Sequence, residues 1–236
     1  MAEVVDSVPE VALAIYAHPD DAEVSCGGTL ASWAKAGSHI EVLICNLGDK
    51  GTTVVGVDSA DLSRRRADEV AHAAQVLGLD GHENLGIPDG ELENTPDLRR
   101  RLVSVIRRVR PTVLVCPDPL AVFFGQDYYN HRDHRIAGWA SLDAASPAAA
   151  LPLYFSEEGP PHQVATIYLS GTLEPDVWVD ISATLDTKIE ALLCHASQLD
   201  DPGEWLRRVV RQRAEEGGRS AGVAFAEGFR RLRLMD

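Results

Sequence analysis

His18-Pro19-Asp20-Asp21-Ala22-Glu23 packs one imidazole and three carboxylates into six residues. It follows an apolar run, residues 11–17, and precedes a small-residue helix start at Cys26-Gly27-Gly28-Thr29-Leu30. An ordinary turn needs no such density of ionisable groups, whereas a metal site with its own base does. A second concentration, Tyr128-Tyr129-Asn130-His131-Arg132-Asp133-His134, lies downstream of the apolar run 112–116. His18 and Asp21 are three residues apart, as are His131 and His134. In a helical turn that spacing puts two side chains on one side. A catalytic zinc takes three protein ligands from histidine and carboxylate and keeps one position for water. Two of these histidines and one carboxylate suffice. The histidine and carboxylate left over suit a general base and an electrophilic helper. Iron(II) accepts the same nitrogen and oxygen donors.

The elements that must position these residues alternate between strand and helix. Residues 11–17 read as a strand, 28–36 as a helix ended by Gly37, and 39–46 as a second strand. Ser59 or Asp61 can cap a helix running to Leu77, with Gly78 behind it. A short strand is expected near 83–85. Thr95-Pro96-Asp97 is a helix start with a capping hydroxyl, proline at the first position and an acid at the positive end of the dipole. Leu98, Leu102, Val105, Ile106 and Val109 share one face of that helix, and Pro111 closes it. Residues 112–116 form an apolar strand. Repeated units of this kind predict an α/β fold, a Rossmann-like, mostly parallel sheet with helices on both faces. Ligands in such sheets sit beyond the carboxyl ends of the strands, so both histidine clusters fall on one edge.

The second half predicts a smaller C-terminal α/β portion, about 150–236, completing a substrate cleft within one 1–236 domain. It holds strands at 163–170 and 177–181, helices at 183–197 and 204–216, and a further helix at 221–231. The Ala/Pro-rich stretch 146–152 reads as a loop between lobes, and 48–59 as a mobile loop beside the site.

Arg66 lies four residues from Leu62 and from Val70, on the apolar stripe of its helix. A buried guanidinium must be paired or face a polar cavity, and Glu69 is a candidate partner. His195, in a last helical turn, complements the helix dipole. Pro88-Asp89-Gly90 and Gly48-Asp49-Lys50-Gly51 are turns. The second lacks the phosphate-loop frame. No G-x-G-x-x-G follows the first strand and no G-x-S-x-G elbow is present, which argues against a dinucleotide cofactor and a serine hydrolase.

The 236 residues, 45% hydrophobic, suffice for a sizeable core. A net charge of -14 argues against a nucleic-acid or anionic-membrane partner. Cys26, Cys45, Cys116 and Cys194 are far apart in apolar or helical contexts and read as reduced thiols. Residues 1–9 are acidic and short of apolar side chains, and no run approaches a membrane span. A cytoplasmic protein is expected.

The motifs together resemble the PIG-L/LmbE-like family of zinc-dependent N-acetylglucosaminyl deacetylases. The resemblance rests on Ala17-His18-Pro19-Asp20-Asp21-Ala22-Glu23, Gly27-Gly28-Thr29-Leu30, Arg66-x-x-Glu69 with Leu77-Gly78, and Pro88-Asp89-Gly90. It continues through His131-x-Asp133-His134 to Lys188 and His195-x-Ser197-Gln198. It implies that His18, Asp21 and His134 hold the zinc and that Asp20 is the general base. It implies that His131, oriented by Asp133 and protonated, stabilises the oxyanion or protonates the leaving group. Arg66, Tyr129, Asp89 and His195 are the substrate-binding residues it suggests. Arg132 stands where many members have proline, so altered loop rigidity or a new substrate contact is expected there. The implied reaction releases acetate from an N-acetylated sugar or glycoconjugate, and self-association is implied too. Alternatives are an amidase for another N-acyl group or thiol conjugate, a tailoring deacetylase of a glycosylated natural product or lipid, and a catalytically silent binding domain. The intact set of His18, Asp20, Asp21, His131 and His134 speaks against the last.

Overall fold

A computed structural model describes residues 3–199 and 203–234. In chain order its elements are β1 (Glu3–Val4), β2 (Val11–Tyr16), α1 (Asp21–Lys35), β3 (His39–Asn46), α2 (Ser59–Leu77), β4 (Gly81–Ile87), α3 (Pro96–Val109) and β5 (Val113–Pro117). There follow β6 (Phe123–Phe124), β7 (Tyr128–Tyr129), α4 (Arg132–Asp143), β8 (Thr166–Ser170), β9 (Val177–Asp180), α5 (Leu185–Leu193), α6 (Glu204–Ala221) and β10 (Ala226–Arg233). Eight strands make one sheet in the order β1-β9-β10-β8-β5-β2-β3-β4. From β8 to β4 every neighbouring pair is parallel. β10 runs antiparallel between β8 and β9. The fold is the mostly parallel α/β sheet expected from the alternation of elements.

Side-chain alternation on β2 explains why both faces are covered. Leu13 and Ile15 pack with Leu102, Ile106 and Ala137 beneath α3 and α4. Ala12, Ala14 and Tyr16 pack on the other face with Leu30, Trp33 and Ile189 from α1 and α5. The chain steps outward from β2 to β3 and β4, then crosses back to place β5 on the other side of β2. The crevice beyond the carboxyl ends of β2 and β5 is therefore a topological switch point, where a ligand fits between diverging loops.

Several elements depart from the sequence expectations. The helix expected over 221–231 is a strand: Gly222 ends α6 in the left-handed region, and the chain returns to fill the slot between β8 and β9. Phe229 is buried there, so tertiary pairing overrides the helix-like run of charged residues. Residues 146–152 are not a loop between lobes. Ala144, Ala145, Ala148 and Ala149 are buried in an irregular helical segment against α3, and the sheet continues unbroken from β5 to β8. Arg107 of α3 explains that segment. Its buried guanidinium donates to the carbonyls of Ala148, Ala149, Leu151, Tyr154, Phe155 and Gly159. The cap of α2 is Asp58, whose side chain accepts from the Asp61 amide, rather than Ser59 or Asp61.

The first helix begins at Asp21, earlier than Gly28, and breaks at Cys26, where φ is -145°. A carboxylate from the far end of the chain caps the restart. Glu227 accepts from the Gly28 and Thr29 amides and the Thr29 hydroxyl. Gly28 is required here, because a Cβ would stand 2.8 Å from the Ile181 side chain. Residues 17–20 form the turn between β2 and α1, and His18, Asp20 and Asp21 border the crevice. Among the described residues, no helix is long and apolar enough to cross a membrane.

Candidate functional site

His18 and Asp21 leave the end of β2, and His134 lies in the first turn of α4. His18 Nδ1 is 3.1 Å from His134 Nε2 and 3.5 Å from Asp21 Oδ2, and His134 Nε2 is 3.1 Å from Asp21 Oδ1. The outer nitrogens have their own partners. His18 Nε2 is 2.9 Å from Asp89 Oδ1, and His134 Nδ1 is 2.8 Å from Asn130 Oδ1. Both partners are acceptors, so the outer nitrogens carry the protons in the neutral rings. Two imidazole lone pairs and a carboxylate then face one another. Such a set of nitrogen and oxygen donors, without cysteine, fits a divalent cation such as zinc or iron(II). His131 also offers a nitrogen to His18 and His134. A second grouping on the other side of the His18 ring joins it with Asp89, His131 and Asp133.

That second grouping holds His18 in place. Asp133 is fully buried. Its Oδ2 accepts from Asn46 Nδ2 at 2.6 Å and from the Gly90 amide at 2.8 Å, and lies 3.7 Å from His18 Nε2. The expectation that Asp133 orients His131 is thus corrected: its carboxylate turns toward His18. Only its backbone amide meets His131 Nδ1, at 3.4 Å, where His131 serves as the cap of α4. Burial pushes His131 below the ordinary histidine value, followed by the neighbouring His18 charge. Burial alone would push His18 down, but its hydrogen bonds to Asp133, Asp21 and Asp89 carry it up to about 12 in the metal-free protein.

Asp20 sits at φ 107°, ψ -23°, in the left-handed region, and its side chain caps nothing. Its Oδ2 is 3.1 Å from Arg66 Nη2. Burial first, then the adjacent Asp21 charge, raises it to about 7, with Arg66 and His195 opposing. Arg66 is buried as expected, 3% exposed, but Glu69 is not its partner. Glu69 accepts instead from the Ser197 amide and hydroxyl, and pairs with Arg65.

A pocket of about 290 Å³ is lined by Asp20, Asp21, His131 and His134, with Arg66, Asp89 and Gln198 around them and His18 at the base. The turn after α5 contributes Gln198, whose side-chain amide donates to the Gly51 carbonyl. His195 from the same turn is 1% exposed, lies 3.6 Å from Glu23 and does not line the pocket. Tyr129 is 67% exposed on the β6/β7 hairpin and does not line it either. Asp89 lines the pocket while holding His18. Its loop is latched by the Lys50 ammonium on the Asp89 carbonyl and by Arg132 Nη1 on the Leu92 carbonyl. Sequence reasoning missed Asn46, Asn130 and Gln198. Asn130 adjoins His131 and Gln198 ends a quoted motif, so adjacency was a signal for both, whereas Asn46 closes an apolar strand with no local mark.

The chain matches the family model described as PIG-L, GlcNAc-PI de-N-acetylase, over residues 13–145. It is 33% identical to the diacetylchitobiose deacetylase of Thermococcus kodakarensis, over 92% of this chain and 81% of that protein. It is 34% identical to the 1D-myo-inositol 2-acetamido-2-deoxy-alpha-D-glucopyranoside deacetylase of Streptomyces griseus, over 66% of this chain. The match spans 54%, about half, of that relative's length. The structure superposes with a TM-score of 0.88 and 28% identity on the N,N'-diacetylchitobiose deacetylase from Pyrococcus horikoshii, covering 95% of this chain and 84% of that one. With its signature motifs gathered at one switch point, the chain belongs to the PIG-L family.

Proposed function

We propose that the protein is a zinc-dependent hydrolase that removes the N-acetyl group from an N-acetylglucosamine-type substrate, giving acetate and a free amine. The observation that carries this reading is the convergence of His18 Nδ1, His134 Nε2 and Asp21 beside the Asp20 carboxylate. The family is metal-dependent, and its named relatives are deacetylases of N-acetylated amino sugars. His18, Asp21 and His134 would hold the cation, with iron(II) an alternative occupant. When bound, the cation supplies Lewis acidity that polarises the acetyl carbonyl and acidifies water.

The chain's own residues do the rest. Asp20, raised to about 7 by burial and Asp21, is matched to neutral pH as a general base. Arg66 occupies its Oδ2, so Oδ1 is the atom that takes the proton from the attacking water. His131 uses Nδ1 as an acceptor for the α4 amide, so its Nε2–H donates to the oxygen on which charge develops. Asp133 and Asp89 fix the His18 ring and its tautomer. The proton on Asp20 is then available to the departing amine. Asp89 and Gln198, at the pocket wall, are positioned to meet sugar hydroxyls. The free state of all four cysteines supports the cytoplasmic expectation.

The test is free-amine release by the zinc-loaded protein from a panel holding free N-acetylglucosamine, its inositol-linked form, diacetylchitobiose, and lipid- or peptide-linked forms, with Asp20→Asn as control. Release from a member, lost in the variant, supports the reading. No release from any member, with zinc bound, moves the substrate to another N-acyl compound or thiol conjugate.

A further inference from the structure

The left-handed backbone of Asp20 is strained for a residue with a Cβ, and such strain persists only where the surroundings over-determine it. Asp20 has no capping hydrogen bond of its own to hold it. Besides the backbone bonds from the Asp21 amide to the His18 carbonyl and from the Val24 amide to the Asp20 carbonyl, the contacts on it come from Arg66, reaching across from α2. Nη2 of Arg66 donates to the Pro19 carbonyl, on one side of the Asp20 peptide unit, and to Asp20 Oδ2 at 3.1 Å. Nη1 donates to the Gly48 carbonyl at 3.2 Å. One guanidinium thus ties the loop after β2 to the loop after β3.

The second loop is shaped to receive it. A Cβ at Gly48 would stand 2.5 Å from Nη1, and one at Gly51 would stand 2.7 Å from it. Gly48 also lies at φ 63°, where glycine alone is unstrained. Two glycines therefore make room for a buried cation whose bonds run to the protein. Nη1 and Nη2 are both taken by protein acceptors, while Nε has no hydrogen-bond partner and the side chain borders the pocket.

We infer that Arg66 is a positioning residue for this site, one that fixes the Asp20 carboxylate and its strained peptide rather than chiefly gripping the sugar. The inference rests on the deacetylase reading above. Holding Oδ2 orients Oδ1 toward the water that must lose its proton. A base displaced by about 1 Å loses on the order of a hundredfold in rate without changing how the substrate docks. A sugar contact would instead act through substrate affinity.

The experiment compares the zinc-loaded full chain with its Arg66→Met variant on diacetylchitobiose. Expected are a kcat lower by about 10²–10³-fold, a KM within about 3-fold, and zinc content unchanged. Because Arg66 acts through Asp20, adding Arg66→Met to Asp20→Asn costs less than about 3-fold more. A KM raised about 10-fold with kcat preserved, or additive losses in the double variant, overturns the inference. Should Arg66→Met fail to fold, Gly48→Ala pushes the guanidinium from the other side and gives the same kcat loss. A KM effect alone overturns the inference there too. Crystal structures of the wild type and of either variant separate this from the reaction itself. Asp20 is expected to leave the left-handed region when Arg66 is lost or displaced, whatever the substrate, and its staying there overturns the inference. Wild-type inactivity on the whole sugar panel would instead strike the deacetylase reading.

Discussion

Lys188 Nζ and Glu227 Oε1 meet at 2.5 Å in the interior, with both side chains almost wholly out of water. The ammonium also donates to the Val24 carbonyl, and the carboxylate caps the restart of α1. One pair thereby joins α1, α5 and the strand β10, directly behind the candidate site. The local sequence around Glu227 gives it no such prominence; its role comes from where β10 inserts.

Removing the carboxylate leaves a buried ammonium and two helix-start amides without their acceptor. Glu227→Ala is expected to cost about 3–5 kcal/mol, as for breaking other buried pairs. Urea denaturation of the metal-free protein measures this. A loss below about 1 kcal/mol would mean that solvent reaches the pair and replaces the carboxylate.

Asp20→Asn is expected to bind zinc as the wild type does and to lose about 10²–10⁴-fold in turnover, the range for a general base. His18→Ala is expected to lose the metal itself. Zinc at a hundred times its Kd should stabilise the wild type by about 2.7 kcal/mol, and this increment should vanish in His18→Ala. Metal analysis alongside thermal melts checks both, and near-normal turnover by Asp20→Asn would remove that residue as the base.

Arg107 donates to six backbone carbonyls, and the Glu158 carboxylate lies within reach of its charge. Arg107→Met is expected to destabilise by about 3–5 kcal/mol, the equivalent of two charge-assisted hydrogen bonds. The segment it organises lies on the α3 side, away from the pocket lining, so kcat of the folded fraction should stay within about 2-fold. Denaturant curves and active-fraction kinetics test the two halves of this expectation.

His162 gives a pH dependence remote from the candidate metal site. Its Nε2–H donates to the Pro111 carbonyl at 2.8 Å, and burial pushes its pKa below 6.5. The folded protein therefore favours the neutral ring. Stability from this group is fully present above about 6.5 and falls as pH drops toward the lowered folded value, because the unfolded chain takes up the proton first. Subtracting the stability of His162→Gln from that of the wild type, between about pH 8 and pH 5, should give a difference that shrinks on acidification. A difference that grows would reverse the sign of the shift.

The site was legible where chemistry and local spacing coincide. His18, Asp20 and Asp21 share one turn, and His131 and His134 share another, so two short strings carried most of the pocket. The central sheet was legible for a related reason: apolar strands such as β2 and β5 announce burial on both faces. What could not be read depends on contacts far apart in sequence. Asn46 matters because β3 ends beside Asp133, and Glu227 because β10 slides between β8 and β9. Arg66 was visible as a buried cation, yet its partners lie 18 and 46 residues away in the chain. The same distance misassigned residues 221–231, whose charges suit a helix until a sheet offers them a slot.

The interior placement of β10 has a consequence for synthesis. Residues 226–233 leave the ribosome after all other strands of the sheet, yet they separate β8 from β9. A nascent chain can pair β2, β3, β4 and β5 early, and the donors from His18 to His134 lie on the loops of that part and at the start of α4, which follows it. β1, made first, must wait for β9 to emerge, and β9 for β10. All the histidines of the site are therefore synthesised before Glu227, which secures the helix behind them. Early metal capture would then favour the correct arrangement of those loops during the interval.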